Sequence, residues 1–310
     1  MSQVVLPACG AGGEPVDLRR TIRSHGLTSL APMAVTDKGT RLYAAVRVGG
    51  VPVLLDITAA SSGIAVVWRS GHRDIQADIV RDAARRLLRL DDDLSLFYEL
   101  VGEDDALAWA AAGAGRLIRS MSVFEEVVKT LCTTNCSWAA TTRMLQTLVS
   151  NLGEPVGSTP PAAPAHAFPT PAAMAAAGET FYTDEMRAGY RSRYLLAIAE
   201  VAAAEKLALE DLAAPAVELA DAEVEERLLA LPGIGPYASA HIMLQLGRYS
   251  SIVLDSWTRP AFGRLTGRRS VSDVAIRRRF RQFGDFAGLA FWVFVTQEWV
   301  EDTPGPAGHG

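Results

Sequence analysis

Strand-like patterning is confined to one short stretch of this 310-residue chain, and that confinement limits the fold more than any other feature. RLYAAVRV (41–48) and VPVLLDIT (51–58) are rich in aliphatic and β-branched residues, and Gly49-Gly50 between them is a two-residue hairpin signal. IAVVW (64–68) reads as a third strand, and Pro52, which lacks an N–H, favours an edge position for the second. From Asp74 to Leu90 the apolar period lengthens to that of a helix, with Ile75, Ile79, Ala83 and Leu87 on one face.

Downstream the pattern is helical. Ser122-Val-Phe-Glu125 is a capping box, a polar interruption runs from Thr133 to Ser137, and a second helix continues to Leu152 before Gly153. Residues 154–171 are rich in Pro and Ala and read as an exposed connector. Further helices are expected at 190–206, 221–230, 236–247, 271–283 and 286–300. The expected class is α+β: a small antiparallel sheet domain (1–105), then an all-helical domain (106–301), then a disordered tail (302–310). Gly10-Ala-Gly-Gly13 follows no convincing strand and reads as a flexible start.

Several classes are disfavoured. No apolar run reaches the roughly 18 residues of a membrane span, and the first residues lack a secretion signal. Three cysteines without paired spacing support neither a disulfide framework nor a four-cysteine metal site. A phosphate-loop GxxxxGK, an HExxH and a GxSxG elbow are missing from the sequence. A monomer in the cytoplasm, associated with the bacterial nucleoid, is the default expectation. The net charge of −5 speaks against a polyanionic partner, yet its distribution is uneven. Between His241 and Asp285 nine arginines face three acids, a net +6; between Glu179 and Glu226 twelve acids face four bases, a net −8. A basic face on an acidic body suits one-sided contact with a polyanion, and equally a solvated helix face.

The most informative segment is Leu231-Pro-Gly-Ile-Gly-Pro-Tyr-Ala-Ser-Ala-His241. Gly233 and Gly235 make a tight turn between two helices, and Pro236 occupies a first helical position where no N–H is needed. Such a turn leaves backbone N–H groups uncovered at a helix start, where a phosphate oxygen fits. Asp255 follows Ile252-Val-Leu254, an apolar setting for a carboxylate, which is either a helix cap or a chemical group.

LPGIGPYASAHI followed by VLDSW resembles the signature of the helix-hairpin-helix DNA glycosylase superfamily. FEEVVKTLCTTNCSWAATTRM (124–144), AGYRSRYL (188–195) and FGDFAGLAFW (283–292) resemble further segments of its 3-methyladenine and 8-oxoguanine branches. The resemblance covers nearly the whole chain, most strongly about 115–300. It implies a double-stranded DNA partner carrying a damaged base, no cofactor beyond a monovalent cation at the hairpin carbonyls, and Asp255 as the catalytic carboxylate that stabilises positive charge on the sugar. Gly233, Gly235 and Tyr237 would meet the DNA backbone. Tyr237 stands where bifunctional relatives carry a Schiff-base lysine, so the implied enzyme is monofunctional and leaves an abasic site.

By the same resemblance Asn135 fills the gap left by the extruded nucleotide, Tyr190 wedges into the stack, and Arg191 bonds the estranged base. Read without it, Asn135 is a helix cap and Tyr190 a core aromatic. Trp138, His241, Gln245, Trp257 and Phe291 would line the base pocket, an aromatic lining that suits a cationic alkylated purine. Phe291 stands where oxoguanine enzymes carry a Gln. The competing readings are a bifunctional 8-oxoguanine glycosylase/lyase and a non-catalytic DNA-binding hairpin module.

Overall fold

The computed structural model describes residues 2–71, 75–206 and 208–301. The expected tail, 302–310, lies outside the described residues.

Five antiparallel strands form one sheet, β1 (Ser2–Leu6), β2 (Met33–Thr36), β3 (Arg41–Val48), β4 (Val51–Ala60) and β5 (Gly63–Arg69), in the order β1-β5-β4-β3-β2. Gly49 and Gly50 both take positive φ, 57° and 78°, the geometry a two-residue hairpin needs between Val48 and Val51. Contrary to the edge expectation, Pro52 lies in a central strand. The β4–β5 ladder begins only at Leu54, and Pro52 pairs with Arg47 one step beyond the hairpin's closing pair. Its nitrogen therefore points to the side that β5 does not reach, and no ladder bond is lost. Two strands escaped the sequence reading. β1 pairs with β5 along its whole length, so Gly10–Gly13 is a turn held by the Cys9–Pro15 bridge rather than a loose start.

One sheet face carries Leu42, Ala44, Val46, Val53, Leu55 and Ile57 and packs on helices α1 (Leu18–Ile22) and α2 (Ala77–Leu87). The buried face of α2 is Val80, Ala83, Ala84 and Leu87; Ile79, expected on it, is 40 % exposed because the face is one residue further round. The opposite sheet face, with Tyr43, Ala45 and Leu54, is covered by Val156 and Ala167. Residues 154–168 are thus a folded cover and not an exposed connector. Val156 donates to Ala165 at 3.0 Å and Ala167 to Glu154 at 2.9 Å, and both side chains are fully buried.

The helical part comprises α3 (Ser95–Gly102), α4 (Val123–Thr133), α5 (Trp138–Leu152), α6 (Pro171–Ala176), α7 (Ser192–Ala203), α8 (Asp221–Leu229), α9 (Pro236–Gln245), α10 (Thr258–Leu265), α11 (Asp273–Phe280) and α12 (Ala287–Val300). The class is α+β, sheet first and helices after. No helix among the described residues is long and apolar enough to cross a membrane. Two cores form. One gathers α4, α5, α7 and α8; the other gathers α3, α10, α11 and α12. Helix α9 is buried from Ala238 to Gln245 and feeds both, Ile242 and Met243 into the first, Ala240 and Leu244 into the second. A helix apolar all round belongs between two cores, and α9 is that shared wall.

A buried ion pair ties the chain start to this body. Arg116, with a fully buried side chain, bonds Glu14, which also accepts from Leu94 N at 2.8 Å. Removing one partner strands the other in a dry interior. Glu14→Ala should lower unfolding free energy by about 3–5 kcal/mol in a denaturant titration. A loss under about 1 kcal/mol, the size of an exposed pair, would show the pair to be solvated.

Candidate active site

The turn between α8 and α9 brings the start of a buried helix to the surface. Gly233 is exposed with φ +79°, and a Cβ there would meet the Tyr194 ring at 2.5 Å, so both its backbone and its packing require glycine. Gly235 caps α9 and Pro236 is its first residue, so the N–H groups of Tyr237 and Ala238 have no acceptor within the helix. Ile234, 6 % exposed and bonded from its N–H to Leu231 O at 3.2 Å, pins the turn to the core.

Asp255 lies at the start of α10. Its Oδ1 accepts the N–H of Trp257 at 2.9 Å and of Thr258 at 2.6 Å, and its own N–H donates to Thr258 Oγ1 at 2.9 Å. The capping geometry weighed from the sequence is therefore real, but it occupies one oxygen. Oδ2 accepts no hydrogen bond from any described residue, and no described cation pairs with Asp255. Its charge acts on Tyr237 and His241 of the hairpin helix and, more weakly than that of Asp273, on Arg259.

Around it the aromatic side chains form a continuous array. Tyr237 stacks on His241 at 6.0 Å, His241 meets Trp292 edge-on at 5.7 Å, Trp292 lies 6.2 Å from Trp257, and Trp257 stacks on Trp299 at 4.9 Å. Trp292 and Trp299 were missed; seven residues apart on α12, they share one helix face. Phe291, expected here, is one position off that face: it is fully buried against Phe262 and Phe280. It lines nothing.

The chain start closes the array from the other side. Trp292 Nε1 donates to Ser24 O at 2.8 Å, buried His25 lies near enough to His241 for that ring to disfavour its protonation, and the Trp138 ring packs on Gly26. Nothing in the sequence of Ser24–Gly26 marks this contribution. Trp138 is 48 % exposed at the start of α5, which Ser137 caps. Gln245 shares the α9 face of His241 but is completely enclosed, and its backbone carbonyl accepts from Arg89. It is set behind the array and does not line it.

Asn135, Tyr190 and Arg191 do meet. Asn135 is exposed at φ +46° in the α4–α5 turn and its Nδ2 donates to Tyr190 Oη at 3.2 Å. Tyr190 is 48 % exposed, not a core aromatic, and rests edge-on against Tyr194, which in turn covers Gly233. Arg191 stacks 4.5 Å over Tyr190 but is buried, with its guanidinium spent on Thr134 O, Thr134 Oγ1 and Ala188 O. It braces the turn and has little left for a base. The expected basic face also thins: Arg248 is buried on Leu219 O, Ala214 O and Asp221, and Arg279 pairs with Asp104. Exposed and unpaired among the described residues are Arg268, Arg269, Arg278 and Arg281; Arg277, also exposed, shares the field of Asp273 with Arg259.

No protein-family model matches the chain, and no curated protein matches it. Solved structures do. A 3-methyladenine DNA glycosylase from Archaeoglobus fulgidus is 21 % identical over 96 % of this chain and 98 % of its own, with a TM-score of 0.75. The Clostridium acetobutylicum 8-oxoguanine glycosylase/lyase, solved with double-stranded DNA containing cytosine opposite 8-oxoguanine, is 18 % identical over 93 % of both chains, with a TM-score of 0.72. These likenesses establish the fold, which the chain shares with both of these solved structures.

Burial lowers His241 to about 4, against a smaller opposing effect of Asp255, and lowers His25 to about 3. His25 Nε2 therefore donates to Ile118 O at 2.6 Å from a neutral ring. Both folded-state values lie below an unfolded histidine's 6.5, so the unfolded chain takes up protons first. Stability present above pH 6.5 should be lost as the pH falls toward 4, and His241→Gln should flatten that loss in denaturant titrations. An unchanged pH dependence in the variant would show His241 to titrate freely.

Proposed function

We propose that this chain is a monofunctional DNA glycosylase that hydrolyses the N-glycosidic bond of an extruded, alkylated purine in duplex DNA. The observation that carries the reading is Asp255, with one oxygen fixed by α10, the other bonded by no described residue, and a charge that acts on Tyr237 and His241. As the bond from C1′ to the base nitrogen breaks, the base departs with the electron pair and positive charge grows on the sugar. A fixed carboxylate opposes that charge most strongly where water is scarce. Water then forms the new bond to C1′ and releases a proton, leaving an abasic site in an intact strand.

The remaining residues fit named parts. The free N–H groups at the start of α9 suit a phosphate of the backbone. Asn135 and Tyr190, exposed together, suit the gap left by the extruded nucleotide, at an extrusion cost of a few kcal/mol. The array of Tyr237, Trp257 and Trp292 favours a cationic base by about 0.5–2 kcal/mol over a ring face, and neutral His241 does not repel it. A monovalent cation on the hairpin carbonyls would steady the turn; the carbonyl of Ile234 accepts no backbone bond among the described residues, and no step uses the ion.

A lyase step needs an amine. Tyr237 has none, and Lys129 of α4 is 1 % exposed at its side chain and paired with Glu125 at 2.5 Å. Borohydride should therefore trap no covalent DNA adduct, while the 8-oxoguanine lyase reading requires one. Incubation with methylated duplex should release free 3- or 7-methylpurine, read by mass, and Asp255→Asn should slow release at least about 100–1,000-fold. Equal release by the variant, or none by the wild type, would contradict the proposal. Tyr190→Ala should slow excision from duplex more than from single strands, where no gap needs filling.

A further inference from the structure

Downstream of Asp255 the chain builds a groove that the site does not use. Helix α10 and the loop after it enclose about 540 Å³ lined by Arg259, Arg264, Arg268 and Arg269, with no acid among the lining residues. Arg259 is held by Asp273 at 2.7 Å and Arg264 lies 3.7 Å from Glu298; Arg268 and Arg269 are exposed and unpaired among the described residues. The loop is not slack. Gly267 reverses it at φ +67°, Arg268 N donates to Gly263 O at 2.8 Å, and Thr266 Oγ1 donates to Phe262 O at 2.8 Å. The two free guanidiniums therefore start from a fixed backbone.

Charge gives the groove a direction. Helix α8, which leads into the hairpin turn, presents Glu223, Glu225 and Glu226, with only Arg227 answering Glu223. A polyanion seated on the turn is repelled along α8 and drawn toward α10 and α11, where Arg277 and Arg278 are also exposed, Arg277 sharing the field of Asp273 with Arg259. Helix α10 starts three residues after Asp255 and spans eight residues, or about 12 Å, which matches three to four nucleotides at about 3.4 Å each along a strand.

We propose that this groove holds the phosphate backbone of the duplex flanking the extruded nucleotide, with Arg268 and Arg269 as the contacting residues. The inference rests on the glycosylase reading for its register but predicts binding to undamaged duplex as well. Each guanidinium releases about one counterion when it meets a phosphate.

The test is the salt dependence of binding to an undamaged 25-base-pair duplex, measured for the wild type, R268Q/R269Q and R268K/R269K. The glutamine pair should lower the slope of log K against log salt by about 2 and weaken binding at low salt, while the lysine pair keeps the slope. An unchanged slope in the glutamine pair, or an equal drop in the lysine pair, would overturn the groove assignment. Failure of the wild type to release base, with the slopes as expected, would sink the enzymatic reading and leave the groove standing.

Discussion

The Oδ1 atom of Asp255 accepts two backbone N–H groups at the start of α10, and the geometry of the site follows from the direction this leaves for Oδ2. A carboxylate free to rotate would turn toward water and lose its aim. Here the cap, an interaction of about 1 kcal/mol in ordinary helices, fixes the group without neutralising it. The positive end of the α10 dipole adds a favourable field at the same point. Capping and chemistry, which look like alternatives in the sequence, are compatible because a carboxylate has two oxygens.

That acid would be isolated without α9. Because α9 is apolar all round, it must lie between two cores, and its start can then emerge only at one place. The emerging turn, with Gly233 under Tyr194, links the hairpin to Tyr190 and through it to Asn135. The same helix carries Tyr237 and His241 toward Trp292. Burial keeps His241 neutral, so it sets no fixed positive charge against a cationic ring at the aromatic array. Fold and proposed chemistry thus share one element.

How much of this was legible depended on whether a signal was local. The glycine turn and the capping position of Asp255 are local signals, set by residues within a few positions, whereas Asn135 and Tyr190, which meet across 55 residues, read locally as a helix cap and a core aromatic. Strand β1 could not, since its partner β5 is sixty residues away and its own sequence is short. The cover at 154–168 looked like a linker because proline and alanine bury little, yet two of its residues close a sheet face. Phe291, expected at the pocket, and Trp292, which joins the array, are one position apart on α12, about 100° of rotation. Ser24–Gly26 were invisible, since a backbone carbonyl accepting from Trp292 leaves no trace in residue type. Counting charges overstated the basic face because Arg248 serves as an internal brace.

The central claim is that the open oxygen of Asp255 opposes positive charge at the sugar. Binding of duplexes carrying a cationic pyrrolidine in place of the deoxyribose, compared with a neutral tetrahydrofuran abasic site, tests it without requiring knowledge of the lesion. The wild type should bind the cationic duplex at least about tenfold more tightly, a difference of about 1.4 kcal/mol, and Asp255→Asn should abolish the preference while still binding the neutral duplex. A preference that survives in the variant would place the relevant charge elsewhere and contradict the account.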